Sequence, residues 1–186
     1  MEARRKRVVR CEKVHGFFLP KKFFVTSGVG LSEESFLNAF DEALMKARIA
    51  QCNLVSVSSI IPPDCEQISF TEITPGTITF AVLCRMDGRD GETIGAGIGW
   101  CWGENAGKKE SYGIVAEDHG YKNAEEIEKA LRQKLKRMAK VRDLTIHEEK
   151  INVRTESLII PKNTNGSAVI AFVYVPFTVE EGSRET

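Results

Sequence analysis

The sequence predicts a four-layer αββα sandwich, in which two helices cover the outer faces of two mostly antiparallel β-sheets. Two observations support this α/β (α+β) class. Two segments have apolar residues at helical spacing, and about eight to ten short runs of strand-forming residues are separated by turn residues. Because each helix or sheet must bury its apolar face against another layer, the order helix, sheet, sheet, helix is the simplest packing.

The length and charge of the chain favour one compact domain that binds a small molecule. At 186 residues the chain is long enough to bury a full core, and we expect a single domain over residues 1–186. Its 26 basic and 26 acidic residues balance, which argues against nucleic acid as the main partner. No apolar run reaches the roughly 18 residues that a membrane helix needs, so no membrane partner is expected.

The cysteines and histidines do not indicate a metal site. The 5 cysteines are odd in number and contain no CxxC pair, and the 3 histidines are scattered without ligand spacing. We therefore expect neither a disulfide framework nor a bound metal, and we expect the chain to work in the reducing cytoplasm.

The N-terminal part predicts a basic tail, short strands and one helix. Residues 1–16 include a basic run with no apolar segment after it, which is typical of a solvated tail and not of a signal peptide. Apolar runs within Phe17–Thr26 indicate strand pieces that lead into a glycine turn at Ser27–Gly30. Ser32 is the predicted N-cap of a helix that runs to about Ala50.

The stretch Asn53–Pro63 is the most informative part of the sequence. Its first half, around Leu54–Val57, predicts a buried strand. Pro62 and Pro63 then end the strand, because proline has no amide donor and stiffens the chain. The Ser58–Ser59 peptide bond is therefore expected where a rigid strand becomes a rigid turn. On their own, two serines at a strand end more often serve turn hydrogen bonds.

Three strand-like runs follow, at Ile68–Ile73, Thr77–Met86 and Thr93–Trp102. The two Asp-Gly steps within Asp87–Glu92 predict a hairpin between the second and third of these strands. Alternate glycines within Gly95–Gly99 predict a close approach on one face of the third strand, by another subunit or by a reactive residue.

The C-terminal part predicts a strand at Ser111–Glu117 and a second helix. Asn123 is the expected N-cap of this helix, with Glu126 completing a capping box. Further strand-like runs lie at Leu144–Glu148, Ile151–Ile160 and Ser167–Phe177. Residues 178–186 are polar and acidic and predict a frayed tail.

In combination, these motifs resemble the pyruvoyl-dependent arginine decarboxylase family. The resemblance extends from about Phe17 to about Phe177, is densest over Leu37–Leu44 and Asn53–Pro63, and continues at Gly91–Ile94 and Gly113–Glu117. Its most specific signal is a Ser-Ser-Ile-x-Pro-Pro run that follows an Asn-Leu strand, preceded by a helix with Asn-Ala-Phe-Asp.

The resemblance implies a sandwich fold, a homotrimer with active sites between protomers, and a precursor that cuts itself between two serines. Here the cut would fall between Ser58 and Ser59, giving a β-chain of residues 1–58 and an α-chain of residues 59–186. The first residue of the α-chain would become a covalent pyruvoyl group. This group would form a Schiff base with L-arginine, and loss of CO₂ would then give agmatine.

The resemblance also assigns catalytic roles to three residues. Ser59 would attack the preceding carbonyl and then become the pyruvoyl group, a reaction that requires a β-oxygen at this position and places fewer demands on Ser58. Glu117 would return a proton to the substrate carbon, which calls for an apolar setting that keeps the carboxyl protonated. Asn53 would donate a hydrogen bond near the cleavage site.

The substrate-binding residues implied by the resemblance are Asp41, Leu37 and Ser58. Asp41 would receive the guanidinium group of arginine in a planar, two-pronged pair. A charge-assisted bond of this kind contributes about 1.5–3 kcal/mol, enough to select arginine over shorter amino acids by roughly ten- to a hundredfold. Leu37, one helical turn earlier, would form a wall of the same pocket.

Two other readings of the sequence stay open. The same pyruvoyl chemistry would serve another amino acid, in which case the charge of Asp41 would not matter. Alternatively, the chain would be an uncleaved trimeric homologue that acts as a binding or scaffold protein, although the joint presence of Ser59, Asn53, Asp41 and Glu117 argues against this.

Overall fold

The computed structural model describes residue 16 and residues 18–105, 107 and 110–176. The predicted tails, residues 1–16 and 178–186, lie outside these residues except for Gly16. The described chain contains two α-helices, α1 (Phe36–Lys46) and α2 (Ala124–Val141), and a 3-10 turn at Glu148–Lys150. The strands are β1 (Lys22–Ser32), β2 (Asn53–Ser56), β3 (Ile60–Ile61), β4 (Glu66–Gln67), β5 (Ile78–Arg89), β6 (Thr93–Asn105), β7 (Glu110–Gly120), β8 (Thr145–Ile146), β9 (Asn152–Ile159) and β10 (Asn165–Tyr174).

The strands form two sheets. Sheet 1 has the order β2-β5-β10-β1-β4, and sheet 2 has the order β3-β7-β6, with both β8 and β9 paired to the far side of β6. Among the described strands, only the β1–β4 and β2–β5 pairs are parallel. The mostly antiparallel pairing is therefore confirmed.

The two sheets and two helices stack in four layers. Helix α1 covers sheet 1 along β1 and β10, and α2 covers sheet 2 along β6 and β7. Between the sheets, Trp100 of β6 meets Phe172 of β10 edge to face, with ring centroids 6.1 Å apart. The predicted αββα sandwich is confirmed. None of the helices in the described ranges is long and apolar enough to cross a membrane.

The predicted limits of the first helix were wrong at both ends. Ser35 is the N-cap, and its hydroxyl accepts the Asn38 N–H at 3.1 Å. Ser32 is the last residue of β1, and its hydroxyl accepts the Glu34 N–H at 3.1 Å. The helix ends at Lys46 because Arg48, with φ of 62°, turns the chain into a left-handed conformation.

The predicted glycine turn at Ser27–Gly30 is instead the middle of β1. The glycines serve the approach of α1 to sheet 1, since a Cβ atom on Gly28 would lie 2.2 Å from the carbonyl oxygen of Ala43. The backbone of the helix thus packs directly on the strand, which a larger residue would prevent.

The alternate glycines of β6 serve a similar purpose for α2. A Cβ atom on Gly97 would lie 2.5 Å from Ile127 and 2.9 Å from Leu131, both buried residues of the helix. The predicted close approach is therefore correct, but its partner is α2 and not a reactive residue or another subunit. The capping box of α2, formed by Asn123 and Glu126, is confirmed.

The predicted hairpin between β5 and β6 was wrong, although its turn was recognised correctly. Asp90 and Gly91 have positive φ values of 47° and 82°, as a tight Asp-Gly turn requires. The strands then diverge, because β5 pairs with β2 and β10 of sheet 1 while β6 pairs within sheet 2. The predicted strand Ile68–Ile73 was also wrong, because this segment has no regular secondary structure. Its apolar side chains pack against the face of sheet 1 that α1 covers.

We expect the Gly28→Ala substitution to lower the free energy of unfolding by about 1–3 kcal/mol, because the added methyl group would overlap the backbone of α1. Urea denaturation measures this change. Gly16→Ala is the control, since a Cβ atom there has no neighbour within 4 Å among the described residues. An equal effect of the two substitutions would contradict the direct packing of helix on strand.

Candidate active site

The two serines lie where the chain passes from sheet 1 to sheet 2. Upstream, β2 pairs with β5, and the Val57 N–H donates to the Ala81 carbonyl at 3.0 Å. Downstream, β3 pairs with β7 of sheet 2. The buried strand predicted here was wrong, because β2 is a mostly exposed strand at the edge of sheet 1.

The peptide units next to Ser59 are held by two hydrogen bonds. The Ile60 N–H donates to the Ser58 carbonyl oxygen at 3.1 Å, which makes a tight turn centred on Ser59. The Val115 N–H of β7 donates to the Ser59 carbonyl oxygen at 2.9 Å. The Ser58 carbonyl is thus polarised by a donor located where negative charge would develop if a nucleophile attacked it.

A cavity of about 310 Å³ lies beside Ser58. This volume is at the lower end of the range for small-molecule sites, about 300–1,000 Å³. The lining is mainly apolar and consists of Gly16, Phe18, Pro20, Val57, Ser58, Ile60, Pro62, Phe80 and Tyr174. None of these lining residues carries a charge. The described residues of a single chain therefore offer no charged partner to a ligand in this cavity.

Glu117 lies on β7, two residues beyond Val115. Alternate residues of a strand face the same side and are about 7 Å apart, and Val115 faces the core between the sheets. The Glu117 side chain therefore points toward the same interior as the Val115 side chain. The backbone N–H of Val115 is the group that binds the Ser59 carbonyl. Burial raises the pKa of Glu117, although His119 and Lys134 oppose the shift. The carboxyl group thus retains its proton to a higher pH than an exposed glutamate.

Asp118, the next residue, has the opposite environment. Its side chain is buried, and its carboxylate pairs with Lys134 of α2 at 2.7 Å and with Lys122 at 2.8 Å. Burial alone would raise the pKa of Asp118, but the hydrogen bonds from the two lysines outweigh this effect and lower it. Lys134 also donates to the Glu117 carbonyl at 2.6 Å, so this cluster ties β7 to α2 beside Glu117.

Asn53 lies at the far end of β2 from the serines. Its side-chain amide donates to the Gly76 carbonyl at 2.8 Å, and its backbone N–H donates to the Thr77 carbonyl at 2.9 Å. Asn53 and Ser58 are five residue steps apart, which in extended chain spans up to about 16 Å. Within one chain the structure therefore does not bring Asn53 next to the Ser58–Ser59 bond.

Asp41 and Leu37 are exposed on α1, away from the cavity. The helix packs on the face of β10 that carries Val173, whereas the cavity is lined by Tyr174 from the opposite face. The structure therefore brings Ser58, Ser59 and Glu117 to the same side of sheet 1. It leaves Asp41, Leu37 and Asn53 elsewhere on the chain.

Tyr174 is a site residue that sequence reasoning missed. Its hydroxyl donates to the Ile60 carbonyl at 2.6 Å, immediately after the two serines. The two residues are 114 positions apart, so no local pattern indicates their contact. The sequence offers just the general expectation that the hydroxyl of a buried tyrosine has a hydrogen-bond partner, and it does not say which.

The described residues offer no group of three or more histidine, cysteine or carboxylate side chains that would hold a metal ion. Cys52, Cys65, Cys84 and Cys101 are free thiols. Burial raises the pKa of the Cys84 thiol to about 11, so it is protonated and unreactive at neutral pH.

Comparisons with known proteins match most of the chain. The sequence model of a family described as pyruvoyl-dependent arginine decarboxylase matches residues 22–179. A probable pyruvoyl-dependent arginine decarboxylase of Chlorobaculum tepidum is 42% identical over 109 residues, which cover 56% of this chain and 58% of the relative. Pyruvoyl-dependent arginine decarboxylase 1 of Methanosarcina acetivorans is 36% identical over 115 residues, covering 59% of this chain and 67% of the relative.

We expect Asp118→Asn to lower the free energy of unfolding at pH 7 by about 1–3 kcal/mol, because two partly exposed lysines lose their shared carboxylate. The pKa of Asp118 is lowered in the folded protein, so its contribution is present above the ordinary value of about 3.9 and is lost as the pH falls through the folded pKa. The difference between the two proteins should therefore shrink in acid.

Urea denaturation at pH 7 and near pH 3 measures this effect. Asp41→Asn is the control, since Asp41 is exposed and the described chain shows no ion pair for it. A constant difference between Asp118→Asn and the parent protein at both pH values would contradict the electrostatic role of Asp118.

Proposed function

Because this chain belongs to the family of pyruvoyl-dependent arginine decarboxylases, we propose that it cuts its own backbone between Ser58 and Ser59 and then converts L-arginine to agmatine and CO₂. The observation that carries the proposal is the Ile60 N–H bound to the Ser58 carbonyl oxygen beside a ligand-sized cavity. The products of the cut are a β-chain of residues 1–58 and an α-chain of residues 59–186.

The cut proceeds through an ester. Ser59 Oγ attacks the Ser58 carbonyl carbon, the C–N bond between the two residues breaks, and the nitrogen receives the hydroxyl proton. Loss of the Ser59 Cα proton then breaks the Cβ–O bond and releases Ser58 as a carboxylate. Water converts the unsaturated amine that is left into a ketone, with release of ammonia.

The surroundings of Ser59 fit a pyruvoyl group. Position 59 forms a turn outside both strand ladders, next to the mainly apolar cavity. When present, the group supplies an electron-withdrawing ketone for removal of the substrate carboxylate, the task that a separate coenzyme performs elsewhere. Ser58 and the apolar side chains around it would border the bound substrate.

Glu117 is the proposed proton donor to the substrate carbon that loses CO₂. Glu117 lies two residues beyond Val115, whose N–H binds Ser59, and its side chain faces the interior between the sheets as the Val115 side chain does. Its raised pKa supports this role, because a general acid must hold a proton near the working pH. The pairing of Asp118 with two lysines fixes the neighbouring backbone in the same strand.

The arginine guanidinium is proposed to bind Asp41 of a second protomer in a homotrimer. Among the described residues, none that lines the cavity is charged, whereas Asp41 is an exposed carboxylate on the outer face of α1. Leu37 lies one turn before Asp41 on the same helical face, where it would form the wall of a shared pocket. Asn53 would reach the site in the same way, from a neighbouring protomer.

We expect Ser59→Ala to abolish both self-cleavage and release of CO₂ from arginine, because alanine has no oxygen to form the ester. Denaturing mass spectrometry should find one uncut chain of about 20.7 kDa, and ¹⁴C-labelled arginine should release no labelled CO₂. Ser56→Ala is the matched control, three residues upstream on the same segment, and should cut normally.

Labelled CO₂ from the purified Ser59→Ala protein would contradict the proposal. An uncut parent protein would instead favour the non-catalytic homologue.

We expect Asp41→Asn to leave self-cleavage unchanged and to raise the KM for arginine about ten- to a hundredfold, because the charge-assisted bond to the guanidinium is lost. Steady-state assays of the fully cut protein measure this. An unchanged KM would contradict the proposed pairing of Asp41 with the guanidinium group.

Mixed trimers test whether the site is shared between protomers. Neither Ser59→Ala nor Asp41→Asn protomers alone should process arginine well, but co-expressed and co-purified mixtures should recover part of the parent activity. Recovery is expected because an Asp41→Asn protomer supplies the cut chain and a Ser59→Ala neighbour supplies Asp41. A mixture no more active than its separate components would contradict a shared site.

A further inference from the structure

Tyr174, the last residue of β10, makes a cross-sheet contact to the segment that is cut. Its side chain is 3% exposed and packs edge to face on Phe172, with ring centroids 5.3 Å apart. From sheet 1, its hydroxyl donates to the carbonyl of Ile60 in β3 of sheet 2 at 2.6 Å. The bond lies one residue beyond the Ser58–Ser59 pair.

A second tie to sheet 1 lies just before the serines. The Val57 N–H donates to Ala81 of β5 at 3.0 Å, and Ala81 pairs directly with Val173 of β10. The residue after Val173 is Tyr174. Both ends of the segment Val57–Ile60 are therefore held at neighbouring points of sheet 1, which restricts the conformations that the two serines between them can adopt.

We propose that Tyr174 is a positioning residue for the self-cleavage reaction, an inference that rests on the proposed function. By fixing the Ile60 carbonyl, its hydroxyl holds the adjoining Ile60 N–H toward the Ser58 carbonyl oxygen. The hydroxyl of Tyr174 binds the carbonyl of Ile60, and Tyr174 acts through that residue.

The step affected is formation of the ester. When Ser59 Oγ bonds to the Ser58 carbonyl carbon, the carbonyl oxygen gains negative charge, and the Ile60 N–H stabilises that charge only if it stays aligned. The C–N bond then breaks, and the nitrogen takes the proton of the hydroxyl. The later steps remove the Ser59 Cα proton and do not depend on the Ser58 oxyanion.

The environment of Tyr174 keeps its hydroxyl a donor. Burial raises the pKa of Tyr174, and the nearby Cys65 adds to the shift. The phenol therefore stays protonated at neutral pH and can donate to Ile60 throughout the reaction.

The test compares the self-cleavage rates of the parent chain, Tyr174→Phe and Tyr121→Phe. Each full-length chain is made by cell-free synthesis, and samples taken over time are separated by denaturing electrophoresis. Tyr174→Phe should cut about five- to tenfold more slowly, the effect of losing one well-aligned hydrogen bond. Tyr121→Phe removes a hydroxyl from a tyrosine that is 66% exposed and should cut at the parent rate.

Hydroxylamine identifies the slow step, because it cleaves esters and not amides. It should not restore the Tyr174→Phe rate to that of the parent chain if ester formation is the impaired step. Full restoration would place the defect after the ester and overturn the proposal, as would a Tyr174→Phe chain that cuts as fast as the parent.

Thermal unfolding separates positioning from general stability. In the uncut Ser59→Ala background, adding Tyr174→Phe should leave the Tm within a few degrees, whereas a large drop would assign Tyr174 a purely structural role and overturn the proposal. A parent chain that never cuts would contradict the proposed function itself. If the parent chain cuts and the Tyr174→Phe chain cuts at the same rate, only the role of Tyr174 is contradicted.

Discussion

The passage of the chain from one sheet to the other within Val57–Ile60 is the constraint on which the candidate site depends. Inside a continuous strand, the carbonyl of a peptide group accepts a hydrogen bond from the neighbouring strand, and this bond fixes the peptide in an extended conformation. Here β2 ends in sheet 1 and β3 begins in sheet 2, so Ser58 and Ser59 belong to neither ladder. Within the described part of the chain, the donor to the Ser58 carbonyl is the Ile60 N–H, two residues along the same turn. Both flanking segments are anchored, because the Val57 N–H donates to Ala81 of sheet 1 and Ile60 pairs with Ile114 of sheet 2.

Strand alternation explains how two adjacent carboxylates acquire opposite properties. Glu117 faces the apolar interior between the sheets, where burial favours its neutral form. Asp118 faces α2, where Lys122 and Lys134 favour its charged form. One residue can therefore hold a proton while the next anchors the strand to the helix behind it, and the two functions do not compete for the same space.

Local features of the chain were predictable and non-local ones were not. The capping box of α2 and the Asp-Gly turn at Asp90 depend on residues a few positions apart, and both were recognised. The antiparallel partner of β5 is β10, far along the chain, and no turn residue specifies that choice. The glycines of β1 predict a turn by their local pattern, but in the fold they admit α1, which no local pattern indicates. Ser59, Glu117 and Asp41 were chosen by family resemblance, whereas the contact of Tyr174 with Ile60 required the fold.

The position of Asp41, away from the cavity of its own chain, supports the proposed sharing of the site between protomers. Leu37, Asp41 and Met45 follow one another at four-residue spacing on α1, so they lie on one face. Leu37 and Met45 are 70% and 63% exposed, which leaves two large apolar side chains in water on either side of a carboxylate. Covering them with another protomer would gain hydrophobic free energy and would place Asp41 in a less polar setting. A carboxylate so placed binds a guanidinium more strongly than one in open water. In the proposed trimer it would supply a charge that the described lining residues of one chain do not provide.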